Sequence, residues 1–182
     1  MGRQKILFVA GCVLSVLALQ SISLAYGLEV GVRAPNFKVI SGEGKALTLE
    51  DIKGKAAGIF YETTDVVKQN MQLKEALGKY YEAQPESVRK LIVRLPVINC
   101  SGVFLPLRGI WRSEFRKHSA LEGIAIYGDW TGRMFADYDI QDGVSNVFLI
   151  DKKGIIRYYA SGRIQGKEIE KVVSLFKKLV EE

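Results

Sequence analysis

One histidine, two cysteines, four prolines and two tryptophans stand in a chain of 182 residues, and each scarcity excludes something. A metal centre needs a second histidine or a cysteine pair. His118 has neither, and it sits among Arg116, Lys117 and Ser119 as a solvated side chain. No metal site and no cofactor are therefore expected. There is no glycine-rich phosphate loop and no C-x-x-C pair: Cys12 lies in an N-terminal apolar run, and Cys100 stands alone. Charge of one sign is not gathered anywhere. The formal net charge is +6, but Lys68, Lys74 and Lys79 alternate with Glu75 and Glu82, and no basic stripe interleaves with aromatics. Nucleic acid is excluded as a partner on that ground. Internal repeats, low-complexity tracts and interdomain linkers are absent as well.

What is present begins with a targeting pattern. Arg3 and Lys5 precede an apolar run over Ile6–Leu19, and Ser21–Gly27 is small and semi-polar, the layout of a secretory signal peptide over residues 1–27. Ile6–Ala25 is also just long enough to remain as a membrane anchor, which leaves that alternative open. Either way the chain is expected to be exported, with one domain over residues 28–182. Its two extra positive charges leave with residues 1–27, so the remainder carries +4, a mild balance. Cys12 leaves too, and with Cys100 as the single cysteine the domain rests on core packing rather than on an internal disulfide.

The rest is organised around Ala56–Asp65 (AAGIFYETTD). A short apolar run ends in polar residues, and a helical pattern over Asp65–Tyr81 follows without a gap. The carboxyl end of such a strand, facing the start of its helix, is where ligands collect in α/β sheets. Glu62, Thr63, Thr64 and Asp65 hold that position and form the candidate binding turn. Thr64 and Asp65 equally suit helix capping, which is the favoured reading for them. Nothing nearby separates Glu62 and Asp65 into acid and base.

Leu91–Val97 reads as a central strand covered on both faces. Cys100 follows it on the same sheet edge, the single candidate nucleophile. A helix over Leu107–Leu121, a strand over Ile124–Tyr127 and a turn carrying Trp130 come next. Asn146–Asp151 and Ile155–Ala160, joined by Asp-Lys-Lys-Gly, predict a β-hairpin whose glycine supplies a positive φ. Lys167–Glu182 is an amphipathic helix. The order is β–α–β–α–β, then a hairpin and a last helix, which predicts an α/β fold with a mixed sheet.

Three stretches carry a resemblance. Gly31–Phe37 (GVRAPNF) resembles the G-x-x-A-P-x-F opening of thiol reductases and peroxiredoxins. Leu49–Lys55 (LEDIKGK) resembles the segment before their first core strand, and Gly143–Ile155 (GVSNVFLIDKKGI) resembles their P-T-x-F-L-I-D-x-x-G hairpin. The resemblance implies a thioredoxin-like three-layer α/β/α sandwich from about Val30 to the C-terminus. It also implies where the chemistry would sit: Asp65 and Lys68 occupy the positions of the two cysteines, and Ser145 that of the cis-proline. Ser145 and the adjoining Asn146 thereby join the candidate binding rim. In length, signal segment, the Ile92–Ser101 stretch and Phe148–Gly154 ahead of a Lys-rich terminal helix, the chain is similar to the YtfJ family. Those are small periplasmic proteins with this fold, no dithiol and no established activity.

A dithiol works because a helix N-terminus lowers one thiol's pKa and its neighbour resolves the mixed disulfide. Asp65 and Lys68 can do neither. The expectation is a periplasmic binding or accessory module, redox-inactive, that meets another protein or a small ligand through Glu62–Asp65, Cys100–Gly102 and Ser145–Asn146. The alternative is a one-cysteine thiol oxidoreductase or peroxidase acting through Cys100.

Overall fold

A computed structural model of the protein describes residues 29–182. The signal or anchor segment, residues 1–27, lies outside the described residues. Seven strands form one mixed sheet: β1 (Lys38–Ser41), β2 (Ala46–Thr48), β3 (Ala56–Glu62), β4 (Ile92–Asn99), β5 (Tyr127–Asp129), β6 (Asn146–Ile150) and β7 (Ile156–Ser161). Their order is β2-β1-β5-β4-β3-β6-β7. β3, β4 and β5 run parallel, while β1, β2, β6 and β7 are joined antiparallel. The helices are α1 (Met71–Glu82), α2 (Glu86–Arg89), α3 (Arg108–Glu122), α4 (Arg133–Asp137) and α5 (Lys167–Glu181).

The topology dictates the layers. From β3 to β4 to β5 both crossovers step in the same direction across the sheet, and right-handed connections then place α1 and α3 on one face. The side chains agree. Along β3, Ala57, Ile59 and Tyr61 enter one apolar cluster, with Met134 of α4, Tyr138 just after it, and Ile52. Ala56 and Phe60 point the other way, to Leu73 and Leu77 of α1 and Val172 and Phe176 of α5. Ile98 of β4 meets Phe115 of α3 beside Cys100 and Trp130.

The predicted hairpin is present. Gly154 has φ +80°, and its amide closes the turn on the Asp151 carbonyl at 2.9 Å. The Asp151 carboxylate accepts the amides of Lys153 and Ile155 at 2.9 Å each and the Arg157 guanidinium at 2.7 Å. Burial alone raises the Asp151 pKa, but these three donors outweigh it and hold the carboxyl below 3.8.

Two boundaries differ from the sequence reading. The helix expected from Asp65 begins at Met71, after a run of turns. Thr63, Thr64, Val66 and Val67 are β-branched and resist the helical χ1 restriction. The amides of Val66 and Gln69 close turns on Thr63 and Val66 instead. Thr64 and Asp65 are therefore not the caps of α1. The strand expected over Ile124–Tyr127 is Tyr127–Asp129. Gly123 ends α3 with φ +63°, and the Ile126 amide is taken by the Ser119 hydroxyl, so pairing starts later.

Candidate functional site

β3 delivers Glu62 to the carboxyl edge on the face covered by α1. Its neighbour Tyr61 points to the opposite face, as the two-residue period of a strand requires. Glu62 is 2 % exposed, and both its oxygens are engaged. The Lys74 ammonium of α1 lies 2.6 Å from Oε2, and the Ser145 hydroxyl donates to Oε1 at 2.7 Å. Lys74 also donates to the Val67 carbonyl at 2.7 Å. The Ser145 amide donates to Gln69 Oε1 at 2.6 Å, and the Ser145 carbonyl accepts the Gly162 amide at 2.8 Å. Burial pushes the Glu62 pKa up, and the opposing pull of Lys74 and Ser145 does not cancel it.

Asn70 and Asn146 extend this lattice. Asn70, 1 % exposed, donates to the Gly162 carbonyl and accepts the Ile164 amide at 2.9 and 2.8 Å, pinning the loop after β7. Asn146 donates to the carbonyls of Gln141 and Val144 and accepts the Gln141 amide and the Ser161 hydroxyl. Its whole hydrogen-bonding capacity is spent inside the protein.

On the other face, Asp129 does similar work. It accepts the Tyr61 hydroxyl and the Phe135 amide on one oxygen, and the Thr131 amide and hydroxyl and the Gly132 amide on the other. Cys100 is fully buried against Ile98, Phe115 and Trp130. Its thiol is pushed up to about 12, first by burial and then by the nearby Asp129 carboxylate. A thiol in that state is protonated at neutral pH, and the thiolate is the nucleophile. The candidate nucleophile is thus a packed core residue.

The candidate rim residues separate into two sets. Glu62, Cys100, Ser145 and Asn146 are buried; Thr63 is half-buried; Thr64 and Asp65 are exposed, as are Ser101 and Gly102 beside Cys100. Glu62 and Ser145 do meet. Cys100 does not join them, because its side chain packs into a separate cluster with α3. Trp130, in the turn after β5, is 9 % exposed and packs on Phe115 at 6.0 Å. Sequence reasoning missed Lys74, Gln69, Asn70 and Asp129. Lys74 left a signal: with Leu77 and Tyr81 it shares the buried helical spacing, a lone charge on an apolar stripe, and Glu62 is an acid closing a buried strand. Among the described residues no cluster of three or more metal-ligating side chains occurs, and no helix is long and apolar enough to cross a membrane.

The fold is shared by known structures. One is a protein assigned as the thiol:disulfide interchange protein DsbE from Chlorobium tepidum, with a TM-score of 0.63 and 15% identity over 85% of this chain and 99% of that one. The fold is thioredoxin-like. The exposed lipoprotein thioredoxin Etrx1 of Streptococcus pneumoniae superposes with a TM-score of 0.58, 15% identity, and coverage of 78% and 99%. A peroxiredoxin-like protein from Aquifex aeolicus gives 0.57 and 17%, over 84% and 88%. No family model matches the chain. No curated protein sequence matches it either.

Proposed function

We propose that this is an exported thioredoxin-fold protein, of the YtfJ type, that binds rather than reacts. The observation that carries the reading is the lattice of Glu62, Lys74, Ser145 and Gln69. In dithiol proteins of this fold the turn between strand and helix presents sulfur to solvent. In this chain that turn carries Asp65 and Lys68, and the groups beneath it are consumed by one another. What faces outward is a short polar rim of Thr64, Asp65, Ser101 and Gly102. Export is supported by the pattern of residues 1–27 and by the name of a similar structure, an exposed lipoprotein. The YtfJ assignment rests on Ile92–Ser101 and on Phe148–Gly154 before the terminal helix.

A photo-crosslinking side chain placed at Asp65 tests the rim. In cells exporting the full chain, the expected result is a discrete adduct at Asp65 and none from the same group at Lys177, on the far helix α5. Equal labelling from both positions, or none from Asp65, overturns the site assignment. Turnover of a disulfide or peroxide by the protein overturns the non-enzymatic reading and returns Cys100 to consideration.

A further inference from the structure

The largest outward-facing apolar group of the described chain sits on one turn at the same sheet edge, outside the polar lattice. From Ser101 to Leu107 (SGVFLPL) no side chain is charged. Phe104 is 61 % exposed, Leu105 74 %, Leu107 40 % and Ile110 61 %. The geometry has a cause. A 3-10 turn over Leu105–Leu107, stiffened by Pro106 and closed by the Leu107 amide on the Phe104 carbonyl at 3.0 Å, turns these side chains out. Only Val103 turns in, against Cys100 and Phe115.

The charges beside this turn share one sign. α3 opens with Arg108, carries no acid in its first turn, and has Arg112 one turn later. A cation at the positive end of a helix is locally unfavourable. Among the described residues neither arginine has an ion-pair partner. Arg108 lies over the Trp130 ring at 5.6 Å and donates to the Val103 carbonyl. The first acid on the helix, Glu114, is approached by Lys117 and His118 at 3.9 Å. On the adjoining loop Asp65 and Lys68 offset each other.

We propose that Phe104–Ile110 is a membrane-docking tip for an anionic phospholipid bilayer. Phe104, Leu105, Leu107 and Ile110 enter the boundary between headgroups and acyl chains, and Arg108 meets the lipid phosphates. The charge pattern selects this occupant. A second copy docked symmetrically on the patch brings Arg108 against Arg108, and a single convex turn falls short of the roughly 800 Å² that each partner gives to a stable interface. A deformable layer accepts a convex apolar turn without a matching concavity. The tip is also remote from the chain's entry into the fold. The Gly31 amide bonds Ile156 and Arg33 bridges Ile155, at the opposite end of the sheet, about 20 Å away at the rise of a strand. Docking therefore needs nothing from residues 1–27 and does not depend on the polar rim being a binding site.

Co-sedimentation of the protein, purified in the form in which cells export it, tests the proposal. Vesicles of phosphatidylcholine alone are compared with vesicles containing phosphatidylglycerol. The expected result is capture by the anionic vesicles, weakening as salt is added, and lowered about tenfold or more by Leu105→Asp. The melting temperature should stay unchanged because Leu105 is exposed, and Phe104→Ser gives a second, uncharged check. No capture by anionic vesicles overturns the proposal. So does capture that both variants leave intact. A monomer–dimer equilibrium abolished by Leu105→Asp, without vesicle binding, makes a second copy the occupant instead.

Discussion

At the scale of single residues, the telling change is what fills the space under the strand-to-helix turn. Glu62 and Lys74 are a nearly enclosed ion pair, and removing one partner of such a pair strands the other. Lys74→Met is expected to cost about 3–5 kcal/mol, whereas Glu62→Gln with Lys74→Met costs clearly less than the two single changes summed. Urea unfolding of the four proteins measures this, and simple additivity contradicts the coupling. The same carboxyl gives a pH signature. Its folded pKa is raised above 4.5 by burial, so its protonated form is favoured by folding. The contribution is fully present below 4.5 and is lost as pH rises through the folded value. Glu62→Gln does not titrate, so its stability should gain on the parent's across that window. A constant difference between the two over a series of pH values argues against the raised pKa.

Among elements, the β6–β7 hairpin and the β3–α1 connection show opposite relations to the sequence. The hairpin is legible in Asp-Lys-Lys-Gly between two apolar runs, which specifies the glycine's positive φ, whereas the hold of Asp151 on the turn's amides emerges only from the structure. Asp151→Asn keeps the shape but replaces one acceptor oxygen with a donor and discharges the partner of Arg157. A loss of about 1–3 kcal/mol follows, read from urea midpoints at neutral pH. Because the Asp151 pKa is held below 3.8, its contribution is present above that value and lost as pH falls through the folded one. A difference that persists unchanged in acid would show that the charge is not what matters. The β3–α1 connection reads as helix from the sequence, and besides its β-branched residues the partners that hold it apart are distant. Asn70 is engaged by Gly162 and Ile164, and Gln69 by Ser145. No window of sequence around Asp65 contains those contacts. Tertiary contacts override the capping chemistry that Thr64 and Asp65 offer locally.

Taken as a whole molecule, the fold follows from alternation of buried strands with amphipathic helices, and right-handed crossovers account for the parallel β3–β4–β5 order. The site was half legible. Chain order brought Glu62 and Ser145 to one edge as expected, but burial is a property of the assembled layers. Nothing in Glu-Thr-Thr-Asp says that Glu62 turns inward while Asp65 stays out, and nothing around Cys100 says that Phe115 and Trp130 will close over it. The fold is thioredoxin-like, and the function we propose for it uses no sulfur chemistry. The most direct measurement is the reaction of Cys100 with hydrogen peroxide and with an aromatic disulfide, in the folded protein and again in urea. The structure predicts a folded thiol that reacts far more slowly than the unfolded one, with no plateau near neutral pH. A folded thiol that reacts faster than the unfolded chain, titrating below the ordinary cysteine range, would contradict it.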